Sequence, residues 1–173
     1  MQSQTTNAAT ATEQMIKQVI NSWTSQNRAV TSFFNKYNDD AYLNEVAPGR
    51  NRAIYLLGHL TATNDSLLPL LGLGDKLYPQ LETPFQANAD DKKNDNIPSV
   101  AELKQYWEKV NATLTEGFSK MLSHDWLDKH TKVSAEDFAL DPSRNKLTVL
   151  LGRTNHQSYH LGQLNFLKAD LKA

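Results

Sequence analysis

The chain has 173 residues, 39% hydrophobic and 21% charged, with 7 Gly, 6 Pro and no Cys, a length that suits one domain with a substantial core. The lack of Cys excludes disulfide scaffolds, thiolate metal sites, iron–sulfur clusters and cysteine nucleophiles, and leaves His, Asp and Glu as the strong metal ligands. Eighteen Lys and Arg against nineteen Asp and Glu give a net charge of −1, which provides no global field toward nucleic acid or an anionic membrane.

Residues 1–10 are polar and lack Lys and Arg, so they carry neither the basic nor the apolar region of a signal peptide. They are expected to form a flexible lead into a single domain spanning 1–173, in a cytoplasmic protein. From about Thr12 to Tyr37, Met15, Ile16, Val19, Ile20, Trp23, Val30, Phe33 and Phe34 recur at three- and four-residue steps, which predicts a first helix. Thr10, three residues before Glu13, would form a capping box at its start. Asn38-Asp39-Asp40 favours a turn, and Pro48-Gly49 leads into a second helix expected over Arg50 to Leu71, with Gly72 and Gly74 as stop signals.

Residues 75–96 contain Pro79, Pro84 and the run Asp90-Asp91-Lys92-Lys93-Asn94-Asp95, and read as a long polar connection whose charged run is a solvated loop. A connection of this length lets the chain travel back along a helix bundle. The third helix opens at Ser99 as N-cap with Glu102 at its third position, followed by an apolar stripe from Val100 through Trp107 and Leu114 to Leu122. Ser123 to Leu140 is irregular, yet Trp126, Leu127 and Phe138 indicate that it packs. Asp141-Pro142 then suggests an N-cap followed by Pro at the first helical position, with a fourth helix to about Asp170. No apolar run approaches the roughly 20 residues that span a bilayer, and no strand-like alternation is present. The expected fold is all-α, a four-helix bundle with a long connection between its second and third helices.

Five His are present, and His156 and His160 stand four apart in the fourth helix, one turn from each other on a single face. The phase of that helix puts Val149, Gly152, His156, His160, Gln163 and Leu167 on one stripe and a Leu-rich face elsewhere. His59 shares a stripe of the second helix with Arg52, Tyr55, Thr63 and Ser66. A His from one helix facing an i,i+4 pair from another would give three imidazoles, the protein ligand number of an open catalytic metal site. Each His taken singly fits an ordinary hydrogen-bonded helix residue. Gln163 is a candidate for bonding a metal-bound water or substrate, or for satisfying the helix interface. Tyr159 and Asn155 point away from the pair and read as packing residues. Arg52 and Tyr55 on the His59 stripe could receive an anionic substrate, with a surface salt bridge as the simpler account of Arg52; His124 and His130 suit no site, and Trp23, Trp107 and Trp126 suit the core.

The segment Arg153 to Leu164 (RTNHQSYHLGQL), the preceding Asp137-Phe138 stretch and Tyr55-Leu-Leu-Gly-His-Leu-Thr61 together resemble the DinB family. The likeness covers nearly the whole chain in order and spacing. It implies a four-helix bundle of up-up-down-down type, usually a homodimer, in which His59, His156 and His160 bind a divalent metal. Zn or Ni is the expected ion, with Fe or Mn as further candidates.

The resemblance also implies a metal-dependent transferase or hydrolase, in particular a thiol-dependent S-transferase. Its partners would be a bacterial low-molecular-weight thiol and an electrophilic small molecule. The alternative is a non-catalytic, stress-related metal-binding or interaction bundle. No nucleic-acid or membrane partner is expected, and no catalytic residue beyond the metal ligands is identified.

Overall fold

The computed structural model describes residues 2–94 and 96–168, with side chains from Thr10 onward. The fold is all-α: seven α-helices and no strand among the described residues. Four are long: α1 (Gln2–Phe34), α2 (Ala53–Asp65), α4 (Val100–Lys120) and α7 (Lys146–Leu164). Three are short: α3 (Leu67–Leu71), α5 (Ser123–Leu127) and α6 (Ala135–Leu140). Helix α1 packs along α7, α2 against α4 and α7, and α5 against α1 and α7.

Several boundaries differ from those expected, each for a local reason. Helix α1 already runs at Gln2, so Thr10 lies inside it and does not cap it. The expected helix over 50–71 is split into α2 and α3. Pro69 has no N–H and its ring crowds the carbonyl four residues earlier, at Asp65, where α2 ends. Gly72 then closes α3 in the left-handed conformation, φ 75°. Helix α4 starts as expected: Ser99 Oγ accepts from Glu102 N–H, and the Glu102 carboxylate accepts from Ser99 N–H at 2.8 Å.

Helix α7 starts at Lys146, not at Pro142. Asp141 closes a turn, its carboxylate accepting from Ser143 N–H, and Asn145 is the N-cap, accepting from Thr148 N–H at 2.9 Å. The helix ends at Leu164, and Asp170, the expected end, lies outside the described residues.

The connection from α3 to α4 is pinned to the bundle, although Asp91, Lys92 and Lys93 of its charged run are exposed as expected. It contains a 3-10 turn (Pro79–Leu81) and a π-helical turn (Thr83–Ala87), which bury Leu81 and Phe85. Two polar anchors hold it down. The Asp65 carboxylate, 1% exposed at the end of α2, accepts from Leu77 and Tyr78 N–H, both at 2.8 Å. Asp90, in the run expected to be solvated, accepts from the backbone N–H of Arg52 at 2.7 Å and pairs with its guanidinium at 2.7 Å. Its side chain is only 3% exposed. Asp95, at the end of the same run, is outside the described residues.

Between these anchors the Phe85 ring lies on the backbone of α2 at Gly58. A Cβ on Gly58 would fall 2.4 Å from the Phe85 ring, which is buried. Two apolar clusters fill the interior. One joins Phe34, Tyr42, Leu56, Leu60, Phe85 and Trp107, and the other joins Trp23, Leu68, Phe118, Trp126 and Leu150. The three Trp are buried in these clusters as expected, and Trp126 stacks edge-on with Phe118, so the 123–140 connection packs through Trp126, whereas Leu127 is exposed and α6 buries no residue.

A polar chain runs between the clusters. Gln157 of α7 donates to Asn64 of α2, Asn64 to Asn111 of α4, and Asn111 to the carbonyl of Trp107. Trp107 Nε1–H then donates to Thr31 of α1. All four long helices are thereby tied together, and a buried amide left without its partner would cost about 1–3 kcal/mol.

Gly to Ala inside a helix ordinarily stabilises by about 0.5–1 kcal/mol. Gly58→Ala should do the opposite, lowering stability by about 1–3 kcal/mol through overpacking against Phe85. Denaturant unfolding of G58A, F85L and the double variant checks this, and the double variant should recover part of the loss.

Candidate metal centre

His59 lies in the second turn of α2, directly after Gly58, while His156 and His160 share one face of α7. The three rings meet. His156 Nε2 is 3.0 Å from His59 Nε2 and 3.0 Å from His160 Nε2. Taking one nitrogen from each ring, all three lie within 4.8 Å of one another. Zinc–imidazole bonds are about 2.0–2.1 Å, and two nitrogens 3.0 Å apart at that radius subtend roughly a right angle at the ion. The spacing therefore suits ligands on adjacent positions of one cation.

The second nitrogens show what the first ones carry. His59 Nδ1 lies 2.6 Å from the carbonyl oxygen of Phe85, which can only accept, so Nδ1 bears the proton. His160 Nδ1 lies 2.8 Å from Gln163 Oε1, with the same consequence. In the neutral rings the Nε2 atoms of His59 and His160 are bare lone pairs, and both are aimed at His156 Nε2. One N–H on His156 can satisfy one of them at most. A divalent cation satisfies every lone pair directed at it, so the donor set fits a metal.

The rings are kept neutral, the form that ligates. Burial lowers the pKa of His59 and of His160 below the ordinary 6.5. His156 is pushed down to about 3, chiefly by burial and then by His160, Arg153 and His59. No carboxylate figures among the causes of these shifts. Tyr55 stacks on His59, and Tyr159 meets His160 edge-on with centroids 5.1 Å apart.

The stripe drawn for His59 is only partly a site. Arg52 is engaged by Asp90, as a partly buried ion pair and not a surface one, and Tyr55 O–H donates to Asn88 O at 2.8 Å. Ser66 donates to Ala62 O and lies away from the His cluster on the Gln86 side chain. Thr63 O–H donates to Leu60 O. Gln163 bonds the back of His160, so it orients the ring and does not face the metal side. Tyr159, expected only to pack, touches His160. His124 and His130 stay outside the cluster, as expected.

Sequence reasoning did not single out Phe85, whose contribution is a backbone carbonyl and carries no residue signature. Nor did it single out the Asn64–Asn111–Gln157 chain, although amides at core phase on three helices were a usable signal.

Residues 22–164 match the family model described as the DinB superfamily. Comparison with curated proteins gave no match.

Removing the partner of a ligating His typically costs 10–100-fold in metal affinity. Gln163→Leu should therefore weaken Zn2+ binding by about that factor with little change in fold, as measured by competition with a chromophoric chelator. Lowered ring pKa values mean that protons compete only below the ordinary imidazole range. Zn2+ affinity should thus change little from pH 7.5 to 6.5 and fall as the solution is acidified further, and the same chelator titration reads this.

Proposed function

Because the chain belongs to the DinB superfamily, we propose that it is a metal-dependent enzyme that transfers a group to a small thiol, with the ion held by His59, His156 and His160. One observation carries the reading: three imidazoles from two helices converge through nitrogens 3.0 Å apart, two of them as lone pairs fixed by Phe85 O and Gln163 Oε1. Three protein ligands leave coordination positions for an exogenous group.

A bound divalent cation supplies positive charge that stabilises the deprotonated form of a thiol or water near neutral pH. The chain's own residues supply the rest. Phe85 O and Gln163 Oε1 hold protons at the Nδ1 atoms of His59 and His160 and so keep both Nε2 atoms free. Burial keeps the three rings uncharged. Tyr55 and Tyr159 lie against two of the rings and limit their rotation.

The chain contains no Cys, so the sulfur of such a reaction arrives with a substrate. Zn2+ or Ni2+ suits three imidazoles, with availability deciding between them.

Untagged protein purified without chelator should carry about one divalent ion per chain by elemental analysis, and His156→Ala should abolish it. The metal-loaded protein should speed conjugation of a small thiol to 1-chloro-2,4-dinitrobenzene, with the sulfur–carbon bond forming as chloride leaves and the thiol proton passing to solvent. Chelator should remove the acceleration. Stoichiometric metal with no acceleration across a panel of thiols and electrophiles would favour a structural ion, and absence of metal would refute the centre itself.

A further inference from the structure

Two of the three ligand rings have their second nitrogen satisfied by the chain, and the third does not. His156 Nδ1 is buried and has no hydrogen-bond partner among the described residues. Metal-ligating imidazoles almost always donate that second N–H to a carboxylate, a carbonyl or water. On the same helix, three residues earlier and about one turn away, stands Arg153. Its Nε–H is also buried without an acceptor, and it forms no ion pair among the described residues. The residue as a whole is half-buried, and burial lowers the pKa of its guanidinium. Its charge is felt at both His156 and His59.

Two orphaned donors one helical turn apart are costly unless an acceptor serves them, since a buried donor without a partner has lost its water and gained nothing in exchange. Among the described residues no carboxylate accepts from either donor. The local charge points the same way: a guanidinium, and a divalent cation when bound, stand together with no Asp or Glu among the groups that shift the three rings. What is missing is negative charge with oxygen acceptors in a planar fork, the group that guanidinium binds best.

We propose that Arg153 and His156 Nδ1–H form a carboxylate-binding subsite beside the three-His centre, and that the small molecule acting there carries a carboxylate. The inference rests on the three-His reading and narrows its substrate to an organic anion. Arg153 is the specificity residue: it takes the carboxylate while the rest of the molecule extends toward the ring cluster. Its contact also gives His156 the acceptor that Phe85 O and Gln163 Oε1 give the other two rings.

The test is NMR of the 15N-labelled, Zn2+-loaded full chain, with the Arg153 Nε–H resonance identified by its loss in R153K. Acetate, at constant ionic strength, is expected to shift the Arg153 Nε–H and His156 ring resonances saturably. Acetamide, of the same shape but neutral, should shift neither at ten times the concentration. R153Q should weaken the His156 response to acetate at least tenfold while zinc content stays at one per chain.

An unmoved Arg153 resonance overturns the proposal. So do equal shifts with acetamide, which would mark a neutral, water-type acceptor site, and equal shifts with chloride, which would mark screening alone. A His156 response that survives in R153Q also overturns it. Zinc content is measured in the same samples. Its absence would strike the metal reading, while the Arg153 resonance still decides the anion subsite.

Discussion

The seating of Phe85 on Gly58 is the contact on which the site depends. A side chain at position 58 would meet the Phe85 ring, so only glycine lets the π-helical turn lie flat on α2. Lying flat, the turn brings its carbonyl to the next residue along, and His59 Nδ1 finds its acceptor at 2.6 Å. Adjacency in sequence thus has a mechanical reason: residue 58 makes the room and residue 59 uses what enters it. The Asp65 contacts to Leu77 and Tyr78, and the Arg52–Asp90 pair, hold the two ends of the same segment. Neither anchor touches a His ring, yet both fix where Phe85 falls.

The polar groups of the interior divide by task. Asn64, Asn111, Gln157 and Trp107 bond one another across the four long helices and set how α2 and α7 face each other. Gln157 is the neighbour in sequence of His156, so the register that lets its amide N–H reach Asn64 also aims the imidazole. Shifting the register would leave further buried amide groups without partners, which gives this register an energetic preference over its neighbours. The ring cluster is different in kind. Its atoms repel or leave one another unsatisfied when taken alone, and are suited to a positive charge placed among them.

The helices and the His156–His160 pair were legible because helical periodicity and i,i+4 spacing are local properties of residues such as Val110, Leu114, His156 and His160, whereas His59 was joined to the pair through the family resemblance. The capping box at Ser99 and Glu102 was legible for the same reason. Where local signals competed, the reading slipped. Asp141-Pro142 resembles a helix start, but Asp141 spends its carboxylate on Ser143, and Asn145 caps instead. The run at 90–95 looks solvated by composition, because nothing local reveals that Arg52, thirty-eight residues away, takes Asp90. The carbonyl of Phe85 was invisible in principle, since every residue has one. That Gln163 turns back to His160 depends on a rotamer, which composition does not specify.

The three ring positions are not equivalent in the order of folding. His156 and His160 need only one turn of α7 to come together, an event on the helix-formation timescale of about a microsecond or less. His59 joins them across a separation of ninety-seven residues, which requires closure of the whole intervening chain, α4 and the Phe85 turn included. A two-ring chelate can therefore exist on a nascent helix, whereas the three-ring one exists only in a finished molecule. The three-ring cluster thus distinguishes chains in which α2 has docked on α7 from those in which it has not, and a probe sensitive to the third imidazole would time that docking.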